Sequence, residues 1–368
     1  MSTARAWPSQ ILRLVVKVGS SFLSEGGALD RRRCETLVAQ VQALKHQGLQ
    51  VVLVSSGAIA AGMGRLGFKV RPRQLPQLQA AASIGQGQLM RMYDELFGAF
   101  GVSVGQVLLT REDLADRRRY LNARHTLLTL LEAGAVPIVN ENDTVAVDEI
   151  RFGDNDQLSA LVAGLVHADA LIILSDVDGL LQNGRPLAVV QAITPDVERL
   201  ARGTSRATTT GGMTTKLEAA RMAMHSGIPL IIANGRAPQV LLKLVQGEPL
   251  GTLFLPAQRG LAPRKRWLAF AARRVHGAIV IDEGARAALA AGGKSLLASG
   301  VVDVAGQFAA GELVSVTGED RREFARGITN YQAQDLLRVR GLKTAQIRQL
   351  LGERADGEVI HRDNLVIL

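Results

Sequence analysis

Two lysines in this 368-residue chain stand where a lysine has to be explained. Lys17 interrupts the β-branched run LVVKV (14–18), and an ammonium group buried there without a partner is strongly disfavoured. Either it lies at a sheet edge with its head snorkelling to water, or it ends a strand and projects into an anionic site. Gly19, Ser20 and Ser21 follow it, and such small residues let backbone N–H groups approach phosphate oxygens. Lys216 closes Thr210-Gly211-Gly212-Met213-Thr214-Thr215-Lys216, ahead of an expected helix over 217–226. Glycines, hydroxyls and a lysine at a helix N-terminus make an anion site from N–H groups and the helix dipole; the plainer reading is a loop with a solvated lysine. Neither this segment nor Gly292-Gly293-Lys294-Ser295, where Ala288 replaces the required first glycine, is a P-loop. Between the two lysines lies RFGDNDQLSA (151–160). One residue of Asp154-Asn155-Asp156 suffices to cap the helical run that follows. The others are left to orient lysines or to carry a metal.

Such residues need a scaffold, and the first two-thirds of the chain repeats one pattern. Short apolar runs, LVVKV (14–18), VVLV (51–54), VPIV (136–139), LIIL (171–174) and PLII (229–232), alternate with stretches of helical spacing, such as Leu37, Val41 and Leu44 before a stop at Gly48. Continuous rather than alternating apolar character marks strands buried on both faces, as in parallel sheets. The expected fold is therefore α/β, a doubly wound and mainly parallel sheet with helices on both faces. Each run ends in polar or small residues: Gly19-Ser20-Ser21, Ser55-Ser56-Gly57, Asn140-Glu141-Asn142-Asp143, Ser175-Asp176 and Asn234-Gly235. In an open parallel sheet, ligands bind outside the carboxyl ends of the strands. Any one cluster reads equally well as an ordinary turn; all of them at one edge read as a site.

Composition turns polar and basic at AQRGLAPRKR (257–266). We divide the chain into a first domain over 1–258, a linker over 259–275 and a small, mainly β domain over 276–368, with strands near 278–281, 301–304, 313–316 and 365–368 and a helix over 284–291. With 47% hydrophobic and 21% charged residues the chain reads as a soluble globular protein. No apolar run nears the roughly 20 residues that span a membrane. The first ten residues carry no apolar signal core, and the expected address is cytoplasmic. Cys34 is the single cysteine, which leaves no intrachain disulfide and no cysteine metal cluster. A net charge of +9 suits nucleic acid or phosphate ligands, but aromatics at 4% argue against an extended base-stacking surface. There is no H-E-x-x-H pattern and no G-x-S-x-G elbow. Two lysines, glycine-lined anion pockets and acidic organisers together suit phosphoryl transfer, in which positioning and charge neutralisation dominate.

VVKVGSS, VSSGAIAAG, VNENDTV, GDNDQLSA, LSDVDGL and TGGMTTKLEAA, in this order and spacing over 14–255, resemble the glutamate 5-kinase family of the amino-acid kinase superfamily. GAIVIDEGA, KSLLASGV, GELVSV and ARGITNY resemble the PUA domain of many bacterial members, and PUA modules elsewhere often bind RNA. The resemblance implies phosphorylation of L-glutamate by ATP to L-glutamyl 5-phosphate, the entry step of proline synthesis. Mg²⁺ would be carried by ATP rather than by protein ligands. Lys17, Lys216 and Asp156 would be catalytic, with Asp156 orienting the lysines. Ser56, Gly57, Asn140, Asp143 and Asn155 would bind glutamate. Lys17, Gly19, Ser20, Ser175, Asp176 and the seven residues from Thr210 to Lys216 would bind ATP. The resemblance also implies a homodimer or homotetramer, feedback inhibition by proline, and RNA as a candidate ligand of the small domain. Ser175 stands where the family usually has threonine and Leu181 where tyrosine is common, and the loop after it is short, so base contacts are the least defined part. Acetylglutamate or aspartate kinase, and an RNA-binding regulator on an inactive kinase fold, are the competing readings. In the glutamate reading Asp143 pairs with the substrate ammonium. Asp143→Ala should then raise the glutamate KM far more than the ATP KM in steady-state kinetics, and an unchanged glutamate KM refutes that role.

Overall fold

The computed structural model describes the chain except for residues 1–6, 9, 26–27, 147–153, 203–211, 257–264, 266, 272–274, 276, 292 and 353–356. Two compact units divide it, Met1–Gly260 and Leu261–Leu368. The five apolar runs become strands of the first unit: β1 (Arg13–Val18), β2 (Gln50–Ser55), β4 (Val136–Glu141), β5 (Ala170–Ser175) and β7 (Leu230–Asn234). Three further strands, β3 (Val104–Leu109), β6 (Val189–Val190) and β8 (Thr252–Phe254), complete an eight-stranded sheet in the order β6-β8-β7-β5-β1-β2-β4-β3. All pairings are parallel except that of β7 with β8.

Burial parity explains the continuous apolar runs. Leu14, Val16 and Val18 of β1 share one core with Leu37, Val41 and Leu44 of helix α1 (Arg31–His46), with Leu89, Tyr93 and Phe97 of α3 (Leu75–Gly98), and with Leu241 of α8 (Val240–Val245). The alternate residues Val15, Val52, Val54, Leu171 and Ile173 are as fully buried. On that face Lys17 meets Asp156 of α5 (Asp154–Leu165), which also pairs with Lys216 of α7 (Met213–His225). Both faces are thus covered, and alternation is suppressed. Lys17 pairs with Val54 on one side and Ile173 on the other, which places it in the centre of the sheet and removes the edge-snorkelling reading. Cys34 is fully buried in the same core, and burial pushes its thiol up to about 11, so it packs as an apolar side chain. The α1 helix ends at His46, and Gly48 supplies the left-handed φ of +88° expected of a helix stop.

The remaining described helices of this unit are α2 (Ala58–Arg65), α4 (Arg117–Glu132) and α6 (Pro195–Arg202), with the short helices Ser20–Leu23 and Arg111–Ala115. Backbone contact joins α2 to α3. A Cβ on Gly62 would lie 1.8 Å from the carbonyl oxygen of Ala81, and one on Gly85 would lie 1.7 Å from that of Ala58. Only glycine permits this approach, which brings the middle of α3 against the turn that follows β2.

In the second unit β9 (Gly277–Ile281), β10 (Val301–Gly306), β11 (Leu313–Thr317), β12 (Glu323–Ile328) and β13 (Leu365–Ile367) form a five-stranded sheet in the order β10-β9-β11-β12-β13. It has its own core, including Ile279, Val314, Leu336 and Ile360. The segment Trp267–Ala271, within the expected linker, forms a helical turn whose Leu268 packs with Leu313 and Val366. Helices α9 (Glu283–Ala290), α10 (Ala333–Val339) and α11 (Thr344–Leu351) accompany the sheet; only the first was expected. Among the described residues no helix is long and apolar enough to cross a membrane.

Replacing Gly85 with alanine forces α2 and α3 apart. Overpacking of this kind costs about 1–3 kcal/mol, so Gly85→Ala should lower the thermal midpoint by at least about 3 °C, read by circular dichroism. An unchanged midpoint contradicts the backbone contact.

Candidate active site

The parallel strands β1, β2, β4, β5 and β7 end at one edge of the sheet, and their polar tails meet there. Asp156 lies at its centre, in the first turn of α5. Asp154, Asn155 and Asp156 are helical, so the Asp-Asn-Asp segment lies within that helix instead of preceding it. Likewise α7 opens at Met213, four residues ahead of the expected start, which puts Lys216 inside the helix.

Asp156 is fully buried; Lys17 and Lys216 are each 6% exposed. Lys17 Nζ is 2.6 Å from Asp156 Oδ1, and Lys216 Nζ is 3.2 Å from Oδ2. The Thr215 hydroxyl donates to the same Oδ2 at 2.7 Å. Burial presses the Asp156 carboxyl up, but the two ammonium charges and the hydrogen bonds from Lys17 and Thr215 outweigh it and hold the group below its ordinary value of 3.8. Burial pulls Lys17 below its ordinary value; the Asp156 charge opposes this, and the like charge of Lys216 adds to it. Two cations share one carboxylate, so the buried cluster carries an excess positive charge in a low dielectric, where an anion is strongly attracted.

Space for that anion is present. A Cβ on Gly19 would stand 3.6 Å from Lys17 Nζ, over the ammonium head. Among the described residues, Gly212 at the N-cap of α7 has nothing within 4 Å of a would-be Cβ, and no side chain caps the helix. Its first N–H groups are therefore available to an anion, as the dipole favours. This cradle fits a triphosphate. Thr210 and Gly211 lie outside the described residues. Met213 is buried and Thr214 exposed, so of these side chains it is Thr215 and Lys216 that engage Asp156. Ser20 opens the short helix Ser20–Leu23, directly after Gly19. The Ser175 hydroxyl donates to Asp176 at 3.2 Å, and the Asp176 charge reaches Lys17. Asn234 pairs in register with Ser175 and donates to Asp178 at 2.9 Å, which brings Asp178 to this side of the site.

Next to the charged cluster lies a neutral one. Successive helical residues point about 100° apart, so Asp156 faces the lysines while Asn155 faces β2 and β4. Asn155 Nδ2 donates to Ser56 Oγ at 2.8 Å and to Asn140 Oδ1 at 2.9 Å. Gly57, with φ of +108°, turns the chain from Ser56 into α2. Ser56, Gly57, Asn140 and Asn155 thus come together as expected of their motifs. Asp143 follows β4 and exerts an electrostatic pull on Arg71, a residue the sequence motifs did not single out. Gln86 of α3 also joins the cluster, accepting from Asn140 Nδ2 at 2.8 Å. The signal for it was slight: a glutamine on the otherwise apolar buried face of a helix.

The chain is similar to known proteins over nearly its whole length. The amino acid kinase family profile matches residues 12–234, and the PUA domain profile matches residues 277–351. A glutamate 5-kinase from Moorella thermoacetica is 51% identical, covering 98% of this chain and 97% of its own length. Another from Geobacter sp. is 50% identical, with 98% of each chain covered. A carbamate kinase from Giardia lamblia bound to AMP-PNP aligns over 68% of this chain and 99% of its own, with a TM-score of 0.48 at 19% identity.

Because Asp156 titrates below its ordinary value, the stability it contributes is present above about pH 4 and is lost only as pH falls through the lower folded value. Asp156 is ion-paired with both Lys17 and Lys216. Lys17→Met, Lys216→Met and Asp156→Asn should each lower kcat by at least about 100-fold while far-UV circular dichroism stays native. A folded variant with near-normal kcat excludes that residue from catalysis.

Proposed function

This chain belongs to the amino acid kinase family, and within it to the glutamate 5-kinases, and on that premise we propose that it transfers the γ-phosphoryl group of ATP to the side-chain carboxylate of L-glutamate. The products are ADP and L-glutamyl 5-phosphate, and the reaction is the entry step of proline synthesis. The observation that carries this reading is the adjacency of Asn155 and Asp156: one grips the Ser56–Asn140 cluster and the next grips both lysines. An amino acid held by the first and a phosphoryl group held by the second lie side by side.

The chemistry follows from charge. A glutamate side chain has a pKa of about 4.3, so at neutral pH it is already a nucleophile and needs no general base. Its carboxylate oxygen forms the new O–P bond as the bond from the γ-phosphorus to the β–γ bridging oxygen breaks, and that electron pair leaves with ADP. The obstacle is repulsion between two anions. Lys17 and Lys216 neutralise the equatorial oxygens, and Asp156 holds the two ammonium groups apart and aimed. N–H groups at the start of α7 take further negative charge. Mg²⁺, bound to the triphosphate, would supply additional charge neutralisation there. Ser175 and Asp176 would border the nucleotide, and Asp143 would take the substrate ammonium.

RNA is the ligand class we assign to the PUA-like unit, and proline, which shares the α-amino acid head of glutamate, is the inhibitor we assign to the glutamate site. We further propose a homodimer or homotetramer and a cytoplasmic location, with residues 259–275 as the link between the kinase and PUA-like domains. Hydroxylamine trapping tests the central claim, because acyl phosphates yield hydroxamates. ATP with L-glutamate should give hydroxamate, and ATP with aspartate or acetylglutamate should not. A signal with either of those, or none with glutamate, overturns the assignment.

A further inference from the structure

Gln86 is nine-tenths buried, lies on a helix that no recognised motif touches, and joins the hydrogen-bond chain of the amino-acid subsite. The polarity of that chain is dictated step by step. The backbone N–H of Glu141 can only donate, and it reaches the Asn140 side chain at 2.9 Å, so the atom facing it is Oδ1. The other end of that amide is therefore Nδ2, a donor, and the Gln86 atom 2.8 Å from it must be the acceptor Oε1. Asn140 Oδ1 also faces Asn155, which fixes the Asn155 atom as Nδ2, and the same Nδ2 reaches Ser56 Oγ.

Two vacant functions remain. Both protons of Asn155 Nδ2 are used, and Asn155 Oδ1 is buried with no hydrogen-bond partner among the described residues. The Ser56 hydroxyl accepts from Asn155, so in this chain its own proton is left to be donated. A buried acceptor without a partner is costly, and a ligand ammonium would satisfy it. A hydroxyl proton in turn suits a carboxylate. The subsite thus offers an acceptor and a donor side by side, the complement of an α-amino acid head.

We propose that Gln86 is a positioning residue for glutamate: by accepting from Asn140 it locks the amide chain so that Asn155 presents an oxygen, and Ser56 a proton, to the bound amino acid. Without that acceptor Asn140 Nδ2 has no anchor, and Asn155 loses the fixed oxygen that holds its amide one way round. A rotated Asn155 amide points N–H groups at the substrate ammonium. Gln86 contributes little to stability by itself, because its own Nε2 is buried with no partner among the described residues. Its removal therefore trades one unsatisfied donor for another.

The inference rests on the glutamate kinase reading, and the test separates the two. Wild-type enzyme is first assayed for glutamate-dependent hydroxamate; its absence overturns the proposed function and this inference with it. Gln86→Met, similar in length but without a strong acceptor, should raise the glutamate KM about tenfold. The ATP KM should stay within about twofold, with the thermal midpoint within about 2 °C. Gln86→Glu keeps an oxygen facing Asn140 in either protonation state and should return the glutamate KM to within about threefold of wild type. An unchanged glutamate KM in folded Gln86→Met, an equal rise for ATP, or failure of Gln86→Glu to restore it overturns the inference while leaving the kinase assignment standing. If Gln86→Met does not fold, Gln86→Glu decides alone: near-wild-type KM supports the role and a tenfold rise refutes it.

Discussion

One buried carboxylate shared by two buried ammonium groups is the constraint on which the rest of the kinase unit depends. Asp156 has no solvent exposure, and each lysine has very little. Three charges in a low dielectric are tolerable only if their geometry is held closely. Lys17 is held by the central strand of the sheet, between β2 and β5. Asp156 and Lys216 are held by the first turns of two helices that pack against each other, and the helix that carries Asp156 also packs against that strand. The extensive apolar core on both sheet faces serves this end: it keeps one strand end and two helix starts in register.

The cluster has an unbalanced charge by design of its composition. Asp156 is one carboxylate against two ammonium groups, and the Asp176 charge lies within reach of Lys17. Burial lowers the ordinary preference of Lys17 for its proton, and Asp156 counters that. The like charge of Lys216 adds to the effect of burial, and Lys17 stays below its ordinary value. A neutral amide lies one residue away, on Asn155, and reaches the Ser56 hydroxyl, so that the charged cluster and the neutral one share a single helical turn without sharing side chains.

A second constraint is steric. Gly62 and Gly85 let α2 and α3 touch backbone to backbone, and this brings Gln86 into reach of Asn140. Helix α3 is otherwise an ordinary packing helix, buried along one side by Leu78, Leu89, Tyr93 and Phe97. Tyr93 reinforces the same region, its hydroxyl lying 2.9 Å from Ser55 Oγ at the end of β2. Packing and polarity are thus coupled on one element.

Much of this was legible in the sequence because it is local. Continuous apolar runs marked the interior strands, since burial on both faces removes alternation. The polar tail of each run marked the binding edge, since parallel strands must end on the same side. The motifs around Lys17, Asp156 and Lys216 marked phosphoryl chemistry. The edge strands β3 and β6 and the short β8 escaped notice: β3 is only partly buried, and the other two span two and three residues, too short for a period to register. Whether Lys17 lay at an edge or in the centre depended on strand order, which no local pattern encodes. The same holds for Gln86, Asp178 and Arg71, whose roles arise from neighbours 54, 56 and about 70 positions away in the chain. The sequence by itself determined which residues could do the chemistry, because residue type and local spacing set charge, hydrogen-bonding capacity and secondary structure. Only the tertiary structure decided which of them meet and which way their amides face, because a hydrogen bond's direction is fixed by its partner, and these partners are brought together only when the sheet and helices have packed.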